Sequence, residues 1–469
     1  MEYPGTSSRP ILLQIAFFQL MLSTLQSPPL GGTDTVLYRH PPDGSNAQES
    51  RLTTLLLLWI LSTVFYYDRF LPGFRPDRIL FCVVLFSFLK SWNQGAFKIG
   101  KWGLIETLMA SFFTLCSLSL WMTGGNRSEA SGANTEINEV LNITVFPFIT
   151  YFIIKNTPYS RSAVWASLGV ISMMTLYLAL TSWFERYGLH RLIWPRYITD
   201  RTIGTHPDRS RGPFLQAVFM GFNMTVGLLC LYLRFAGTTT FLKRVLLFLV
   251  SLLTLGGIYF TFTRGPWIAL GVALLVTSWV PSPIRKLSRS INMLLLVLFL
   301  FSGASQFSLS GGNLFSRRQN TLEQRDLNYR IAFHMGMDHP LFGVGFSRMG
   351  MEFDKYFNRY YRGEDWHKWD GNHNEYLGLF AEVGVFAVLF FILILGLMIR
   401  EAVYCIRSLP DAMSLEMGVA VCSLSSLLGF ALIAYFNQIR AAPFHVCITF
   451  LLAGWVAAIR QRHEGITGA

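Results

Sequence analysis

The sequence predicts an all-α integral membrane protein with about twelve transmembrane helices and one long helix-containing loop outside the membrane. Three observations indicate this fold class. Hydrophobic residues make up 52% of the 469-residue chain, and mean hydropathy is +0.40. Charged residues make up only 14%, whereas soluble domains carry about 25%. The apolar residues also recur in segments long enough to enter a bilayer.

The N-terminal segment, residues 1–51, is the least regular part of the pattern. The apolar stretch Ile11–Leu25 is short for a span, which needs about 20 residues, and Gln14 and Gln19 interrupt it. We interpret it as an interfacial helix or a marginal extra span, followed by a polar linker. It lacks a basic n-region and a clear small-residue cleavage site, so we predict no cleavable signal peptide.

Twelve apolar segments follow and are predicted to be the transmembrane helices. Nine fall within residues 52–307 and three within residues 376–469, which end in a cytoplasmic tail; the long loop, residues 308–375, separates the two groups. In chain order the segments are Leu52–Tyr67, Ile79–Trp92, Leu104–Met122, Val140–Ile154, Ala163–Trp183, Phe214–Leu233, Val245–Phe262, Trp267–Val280, Ile291–Phe307, Tyr376–Met398, Met417–Phe436 and Phe444–Ile459.

Lysine and arginine concentrate on alternate connections between these segments, as the positive-inside rule expects. The basic residues of these connections are Lys90, Lys98, Lys101, Lys155, Arg161, Lys243, Arg244, Arg285, Lys286, Arg289, Arg400, Arg407, Arg460 and Arg462. We therefore predict that both termini lie in the cytoplasm. The net charge of +12 follows from these loops, with an anionic ligand as a second reason, and does not indicate nucleic acid.

Two connections on the predicted outer side carry unusual polar content. The segment 185–211 holds six arginines against three acidic residues, which suggests an anion. Within the loop 308–375, Leu322–Met337 has helical spacing of apolar residues, and residues 340–345 are typical of a turn. The six arginines are Arg186, Arg191, Arg196, Arg201, Arg209 and Arg211.

Arg211 and Arg264 share a sequence context, since Gly-Pro follows each where an apolar segment begins. Proline near the first helical position predicts a helix N-terminus, whose free N–H groups attract anions, and a guanidinium adds bidentate recognition of phosphate oxygens. Arg330, on the predicted loop helix, and Arg440, in the last outer turn, are further candidates. The alternative is that such arginines reach toward lipid headgroups. We favour that alternative for Arg186, Arg191 and Arg196, but favour function for Arg211 and Arg264.

His373 opens a second candidate feature, because it stands between Asn372 and Asn374 at the edge of an apolar run. Glu382 follows nine residues later, inside that run. Ionisable groups inside membrane segments are functional candidates. The alternative is that residues 372–374 only cap a helix at the interface. Arginines around a histidine indicate a diphosphate-bearing substrate and a general base.

Metal and cofactor chemistry has little support in the sequence. No DxD pair occurs in an outer loop, and no HExxH, P-loop or GxSxG motif is present. His367 and His373, with Asp365 and Asp370 nearby, leave only a weak zinc possibility. The six cysteines lie in or beside apolar segments, so we predict no disulfide framework. We therefore predict no metal and no cofactor.

Several of these motifs together resemble the O-antigen ligase and O-antigen polymerase superfamily. The resemblance covers about residues 209–384 by motif and nearly the whole chain by topology, although the N-terminal third matches by hydropathy only. The motifs are Arg211-Gly212-Pro213-Phe214, Thr263-Arg264-Gly265, Tyr329-Arg330, His339-Pro340-Leu341-Phe342-Gly343-Val344-Gly345, His373-Asn374-Glu375-Tyr376-Leu377 and Glu382-Val383-Gly384.

The resemblance implies a GT-C-type glycosyltransferase in a bacterial inner membrane, with its active site facing the periplasm. The donor would be a glycan on undecaprenyl diphosphate, and a saccharide or lipid A-core acceptor hydroxyl would attack it without a metal. His373 would be the general base, while Arg211 and Arg264 would hold the diphosphate. Arg330 would help to position a substrate, and Glu382 would orient its neighbours.

Other functions stay open at this point. A polymerase that extends a repeat-unit chain would use the same chemistry as a ligase, and the sequence separates the two only by a lean toward the ligase. A transporter or flippase for lipid-linked sugars also fits twelve spans. Transporters, however, place ionisable groups near the bilayer midplane and are built from repeats, and neither is evident here. A purely structural anchor would not need so polar a loop.

Overall fold

A computed structural model describes residues 43–65, 75–122, 133–294, 313–361 and 373–467. Across these ranges the regular structure is helical, and no strand occurs among them. Eight helices within them are long and apolar enough to cross a bilayer. The structure therefore confirms the prediction of an all-helical, multi-pass membrane protein.

Fifteen α-helices carry the labels used below, and a further helical stretch covers residues 285–294. A π-helical turn, Leu141–Val145, joins α4 to α5. In chain order the helices are α1 (Asp43–Ser62), α2 (Pro76–Asn93), α3 (Leu104–Met122), α4 (Ala133–Val140), α5 (Phe146–Asn156), α6 (Arg161–Arg186), α7 (Ala217–Gly237), α8 (Phe241–Phe260), α9 (Arg264–Trp279), α10 (Asn313–Asp338), α11 (Met349–Tyr360), α12 (Glu375–Val383), α13 (Val385–Ser408), α14 (Leu415–Phe436) and α15 (Phe444–Thr467).

Eight of the twelve predicted spans correspond to membrane-length helices. One of them is continuous from α4 to α5, and the other seven are α3, α6, α7, α8, α13, α14 and α15. Three of the others are helices of lesser length or higher charge. The apolar part of α1 covers only Arg51–Ser62, α2 carries Asp77, Arg78 and Lys90, and α9 has 16 residues. The ninth predicted span, Ile291–Phe307, lies mostly outside the described residues. The count of about twelve therefore stays a prediction.

Helices α7 and α15 form the interior of the bundle, whereas α8 and α13 expose much of their surface. Small residues let the inner helices approach closely. A Cβ on Gly227 of α7 would lie 1.6 Å from the Thr175 hydroxyl oxygen of α6, and one on Gly454 of α15 would lie 2.9 Å from Ile154. Exposed Phe386 and Leu389 on α13 are positioned to face lipid.

The span predicted at Tyr376–Met398 is not one helix, which corrects the sequence interpretation. It breaks at Gly384, whose φ of 96° is in the left-handed region that favours glycine. The segment from Pro340 to Gly345 crosses the break. The Val385 N–H donates to the Pro340 carbonyl at 2.8 Å, and a Cβ on Gly384 would lie 2.3 Å from the Leu341 carbonyl oxygen. A close backbone crossing, not local propensity, therefore ends α12.

The long outer loop contains the predicted helix and the predicted turn. The predicted helix Leu322–Met337 lies within α10, and α11 packs beside it around a separate apolar cluster. Leu327, Ile331 and Met335 of α10 meet Phe353 and Phe357 of α11 in that cluster. The turn after α10 supplies Gly343, whose φ of 64° brings its backbone against α12.

Ion pairs join the helix ends on the side predicted to be cytoplasmic. Lys155 at the end of α5 forms an ion pair with Glu106 at the start of α3. At the start of α14, Glu416 lies 3.1 Å from the Arg161 Nε that begins α6. These contacts fix the helix ends opposite to the candidate site.

Candidate functional site

His373 lies at the outer end of the bundle, where α10 meets the start of α12. Its neighbour Asn374 caps α12, because the Asn374 side-chain oxygen accepts from the Leu377 N–H at 3.1 Å. The hydroxyl of Tyr329 on α10 donates to the His373 carbonyl at 3.2 Å. The capping interpretation therefore holds for Asn374, and the cap together with Tyr329 fixes the backbone that carries the imidazole.

The arginine-rich segment interacts electrostatically with this region through His206. Partial burial lowers the pKa of His206, and the charges of Arg209, His373 and Arg325 lower it further, while Asp208 opposes them. His206, which belongs to the segment 185–211, is therefore electrostatically coupled to His373 and to Arg325 of α10.

Tyr329 links this group to the end of α14. Burial raises the pKa of the Tyr329 hydroxyl, the Arg325 charge opposes the rise, and Tyr435 of α14 adds to it. Ile433, two residues before Tyr435, lies 3.3 Å from where a Cβ on Gly265 would stand. The first turn of α9, which begins with Arg264, therefore packs on the same end of α14 whose Ala431 carbonyl accepts from the Tyr376 hydroxyl of α12 at 3.1 Å.

Arg264 is the first residue of α9, as predicted, and its guanidinium is exposed. No side chain caps this first turn. In the part of the chain that the structure describes, Arg264 has neither an ion-pair partner nor a hydrogen-bond partner for its side chain. A free guanidinium beside uncapped N–H groups at the positive end of a helix is an arrangement that attracts anions.

Arg211 has a different environment from the one predicted. Its side chain is 2% exposed and donates to the carbonyls of Ile203 at 2.6 Å and Asp200 at 3.0 Å. The membrane helix after it begins at Ala217, so its Gly-Pro belongs to a separate short turn. The N–H groups of Arg211 and Gly212 donate to one oxygen of Glu185, at 3.1 and 2.9 Å. The anion at this turn is therefore the chain's own carboxylate.

Arg440 is fully buried, which corrects the expectation that it faces a ligand. Its Nε donates to Glu375 Oε1 at 3.0 Å, and its Nη2 lies 2.9 Å from the same oxygen. Its Nη1 forms an ion pair with Glu382 and lies 3.9 Å from Glu139. A guanidinium needs paired carboxylates when it is buried, so Arg440 serves the fold.

Glu382 makes contacts that reach three segments. Its side chain binds Arg440 and accepts from the Met349 N–H at 3.2 Å, where α11 begins. Its carbonyl accepts from Gly345 and from the Ser119 hydroxyl. Glu375 likewise accepts from the Ile439 N–H at 2.8 Å. These two carboxylates hold the outer loop, α12 and the last outer turn together.

Two remaining candidates have weaker placement. Arg330 forms an exposed i,i+4 pair with Asp326 at 2.6 Å, which is worth about 0.5 kcal/mol at most and leaves the guanidinium accessible. Asn372 lies outside the described residues, as do His367 and the aspartates near it. Among the described residues, no group of three or more potential ligands could hold a metal ion.

Four contributors to this region were not among the predicted site residues: His206, Arg325, Glu185 and Glu375. Glu375 stands two residues after His373, so the motif contained it, but its pairing with Arg440 joins residues 65 apart and no local pattern reveals it. The arginine density of the segment 185–211 pointed to the region of His206 and Glu185 without identifying either.

Part of the chain matches a known protein family. Residues 249–392 match the family described as O-Antigen ligase. The matched range contains Arg264, Arg330, His373 and Glu382, and it leaves out both inward-facing arginines. No curated protein matches the chain.

Proposed function

Because residues 249–392 match the O-antigen ligase family, we propose that this chain transfers a glycan from undecaprenyl diphosphate to an acceptor saccharide hydroxyl. In this proposal the protein lies in a bacterial inner membrane and reacts at its periplasmic face. The family points to a membrane glycosyltransferase of the ligase or polymerase type. The donor, the acceptor and the roles of individual residues are part of the proposal.

The observation that carries the proposal is that the helix starts carrying His373 and Arg264 both pack against the same end of α14. His373 is half-buried and stands on a capped helix start, and Arg264 is exposed and unpaired among the described residues. A general base and an anion-binding cation are the two groups that this reaction needs. Both lie inside the family-matched range.

The reaction assigns one step to each group. The acceptor oxygen attacks the anomeric carbon of the donor, and the bond from that carbon to the diphosphate oxygen breaks. His373 takes the proton of the attacking hydroxyl. Arg264 binds the departing diphosphate and stabilises the negative charge that grows on it. No electron transfer is involved, and the proton later leaves His373 to solvent.

The buried carboxylates act as positioning residues in this scheme. Glu375 fixes the start of α12 to the last outer turn through Arg440, and Glu382 fixes the other end of α12 to α11. His373 lies directly before α12, so its position depends on both. Arg211 shapes the arginine-rich segment, Arg330 helps to position a substrate, and Asn372 has a supporting role beside His373 in the sequence.

A transfer assay tests the proposal. Purified full-length protein in nanodiscs would receive a lipid-diphosphate-linked oligosaccharide and candidate acceptors in the presence of EDTA, with product size followed on gels. We expect His373→Ala and Arg264→Ala each to lower the rate by 10² or more. Arg400→Ala and His463→Ala, matched changes near the opposite helix ends, should leave the rate within twofold.

The product pattern separates the candidate activities. A single transfer to a lipid core indicates a ligase, and a ladder of products indicates a polymerase. If no product forms while the protein binds or moves the lipid-linked sugar, and both site variants behave like wild type, the enzyme proposal is wrong and a transporter replaces it.

A further inference from the structure

A small cavity opens where α6 ends and the arginine-rich segment folds over it. Its volume is about 110 Å³, and its lining includes Glu185, Arg186, Arg201, Arg209 and Arg211. Arg264 is not part of that lining. The cavity is therefore a separate feature from the diphosphate position proposed above.

The lining is strongly cationic. It contains four arginines against two carboxylates, those of Glu185 and Asp208. The side chains of Arg186, Arg201 and Arg209 have no carboxylate partner over the described ranges, and Arg186 instead packs over the rings of Phe260 and Phe262. Three guanidinium groups that form no ion pair with a described carboxylate, around one opening, attract a negatively charged group.

Hydrogen bonds within the segment fix the wall of the cavity. The Arg211 guanidinium donates to the carbonyls of Asp200 and Ile203, and the Arg211 N–H donates to Glu185 at the end of α6. The Ser210 N–H donates to the Phe260 carbonyl at 3.2 Å. The opening is therefore preorganised, which reduces the entropy that a ligand loses on binding.

The volume limits what the cavity can hold. One water takes about 30 Å³, so the space equals three to four waters. A phosphate or carboxylate group fits within it. Because Arg201 is exposed and Arg209 is half-buried, the rest of a ligand can extend outward past the rim.

The cavity also lies at the end of the bundle where α9 begins. Phe260, the last residue of α8, lines it, and Arg264 begins α9 four residues later. A saccharide that anchors a charged group in the cavity would therefore lie at the same end of the bundle as the proposed reaction. The donor already has its diphosphate position at Arg264, so the second anion belongs to the other substrate.

We propose that this cavity binds a phosphate or carboxylate group carried by the acceptor saccharide. The identification of the ligand as the acceptor rests on the proposed transfer reaction. The affinity for an anionic sugar does not depend on that reaction. The same chemistry could come from a phospholipid headgroup, and the test below separates the two sources.

Saturation-transfer NMR on full-length protein in phosphatidylcholine nanodiscs measures the binding. The probes are glucose 6-phosphate and glucuronate, with glucose as the neutral control. The test variant is Arg201→Gln/Arg209→Gln. Its matched control is Arg191→Gln/Arg196→Gln, which removes the same charge from the same segment outside the cavity lining.

We expect both anionic sugars to bind and glucose not to bind. The test variant should weaken binding about tenfold, which corresponds to losing about 1.4 kcal/mol, and the control variant should change it by less than twofold. Equal weakening in both variants would overturn the proposal, since only net charge would then matter.

Two further results separate the alternatives. If native mass spectrometry shows that wild type retains phosphatidylglycerol and the test variant loses it, while neither anionic sugar binds, the cavity holds lipid and the proposal is wrong. If the sugars bind as expected but the nanodisc assay yields no transfer product, the proposed function fails while the anion site stands. If transfer occurs and depends on His373 but neither anionic sugar binds, the proposed function stands and the anion site is wrong.

Discussion

Replacing Arg440 with methionine is the sharpest test of how the site is held together. The guanidinium is fully buried and contacts Glu375 at 2.9 and 3.0 Å, and it also pairs with Glu382. Removing it leaves two buried carboxylates without a cation. Breaking a buried ion pair from one side costs about 3–5 kcal/mol, and we expect Arg440→Met to fall in this range.

The pH dependence of this variant has a definite sign. Burial raises the pKa of Glu375, and the Arg440 charge opposes that rise, so the variant should raise the pKa further. A carboxyl group with a raised folded-state pKa destabilises the protein as the pH rises through its unfolded value. The stability lost by Arg440→Met should therefore be smaller at pH 5 than at pH 8. Adding Glu375→Gln and Glu382→Gln should recover most of it.

Thermal unfolding with a thiol-reactive dye measures the effect, because most of the cysteines are buried and react only after unfolding. Lys155→Met is the matched control, since it removes a cation from Glu106 at the other helix ends. Glu106 still accepts from the Gly103 N–H at 2.9 Å, and Lys155 is 12% exposed. The stability lost by Lys155→Met should therefore be smaller than that lost by Arg440→Met. An Arg440→Met protein that melts within one degree of wild type would refute the reasoning.

Three further outcomes follow from single contacts. Gly384→Ala should destabilise by about 1–3 kcal/mol in the same unfolding assay, because of its positive φ and the backbone that crosses it, whereas Gly396→Ala, which meets open space, should be neutral. Tyr329→Phe removes the bond to the His373 carbonyl, worth about 1 kcal/mol. Turnover should fall severalfold while the melting temperature falls by a few degrees at most, and unchanged turnover would contradict this. Partial burial and nearby cations lower the pKa of His206 from 6.5, so its contribution to stability is lost as the pH falls through that value. His373→Gln should raise this pKa in an NMR titration, and no change would show that the two rings are apart.

The fold class could be predicted from the sequence because it depends on composition and periodicity. Apolar runs of membrane length and helical spacing in the outer loop are local signals, and the helices at Leu104–Met122 and Asn313–Asp338 contain them. The break at Gly384 could not be predicted, since the apolar run continues through it. It exists because another backbone, near Leu341, crosses there, and that contact joins segments about 40 residues apart.

Arg211 and Arg264 have different environments for a similar reason, which is tertiary contact. Arg211 and Arg264 share a following Gly-Pro, and nothing local distinguishes them. The structure turns Arg211 inward, where carbonyls of its own segment accept its hydrogen bonds, and leaves Arg264 exposed at the start of α9. Whether a guanidinium faces a ligand depends on which tertiary partners are within reach, and sequence spacing does not contain that information.

The placement of Glu382 gives the helix break a consequence for the site. In one continuous helix, its carboxylate would stand in an apolar run with no reason to be ionised. The break ends α12 at Val383. The Met349 N–H at the start of α11, which follows the crossing segment, donates to Glu382, and Arg440 of the last outer turn pairs with it. The same crossing therefore fixes the end of α12, the helix that follows His373. It also fixes Glu382, whose carboxylate joins the outer loop to α12. A change at Gly384 should accordingly reach His373 as well as stability, and turnover in Gly384→Ala should fall even in preparations that remain folded.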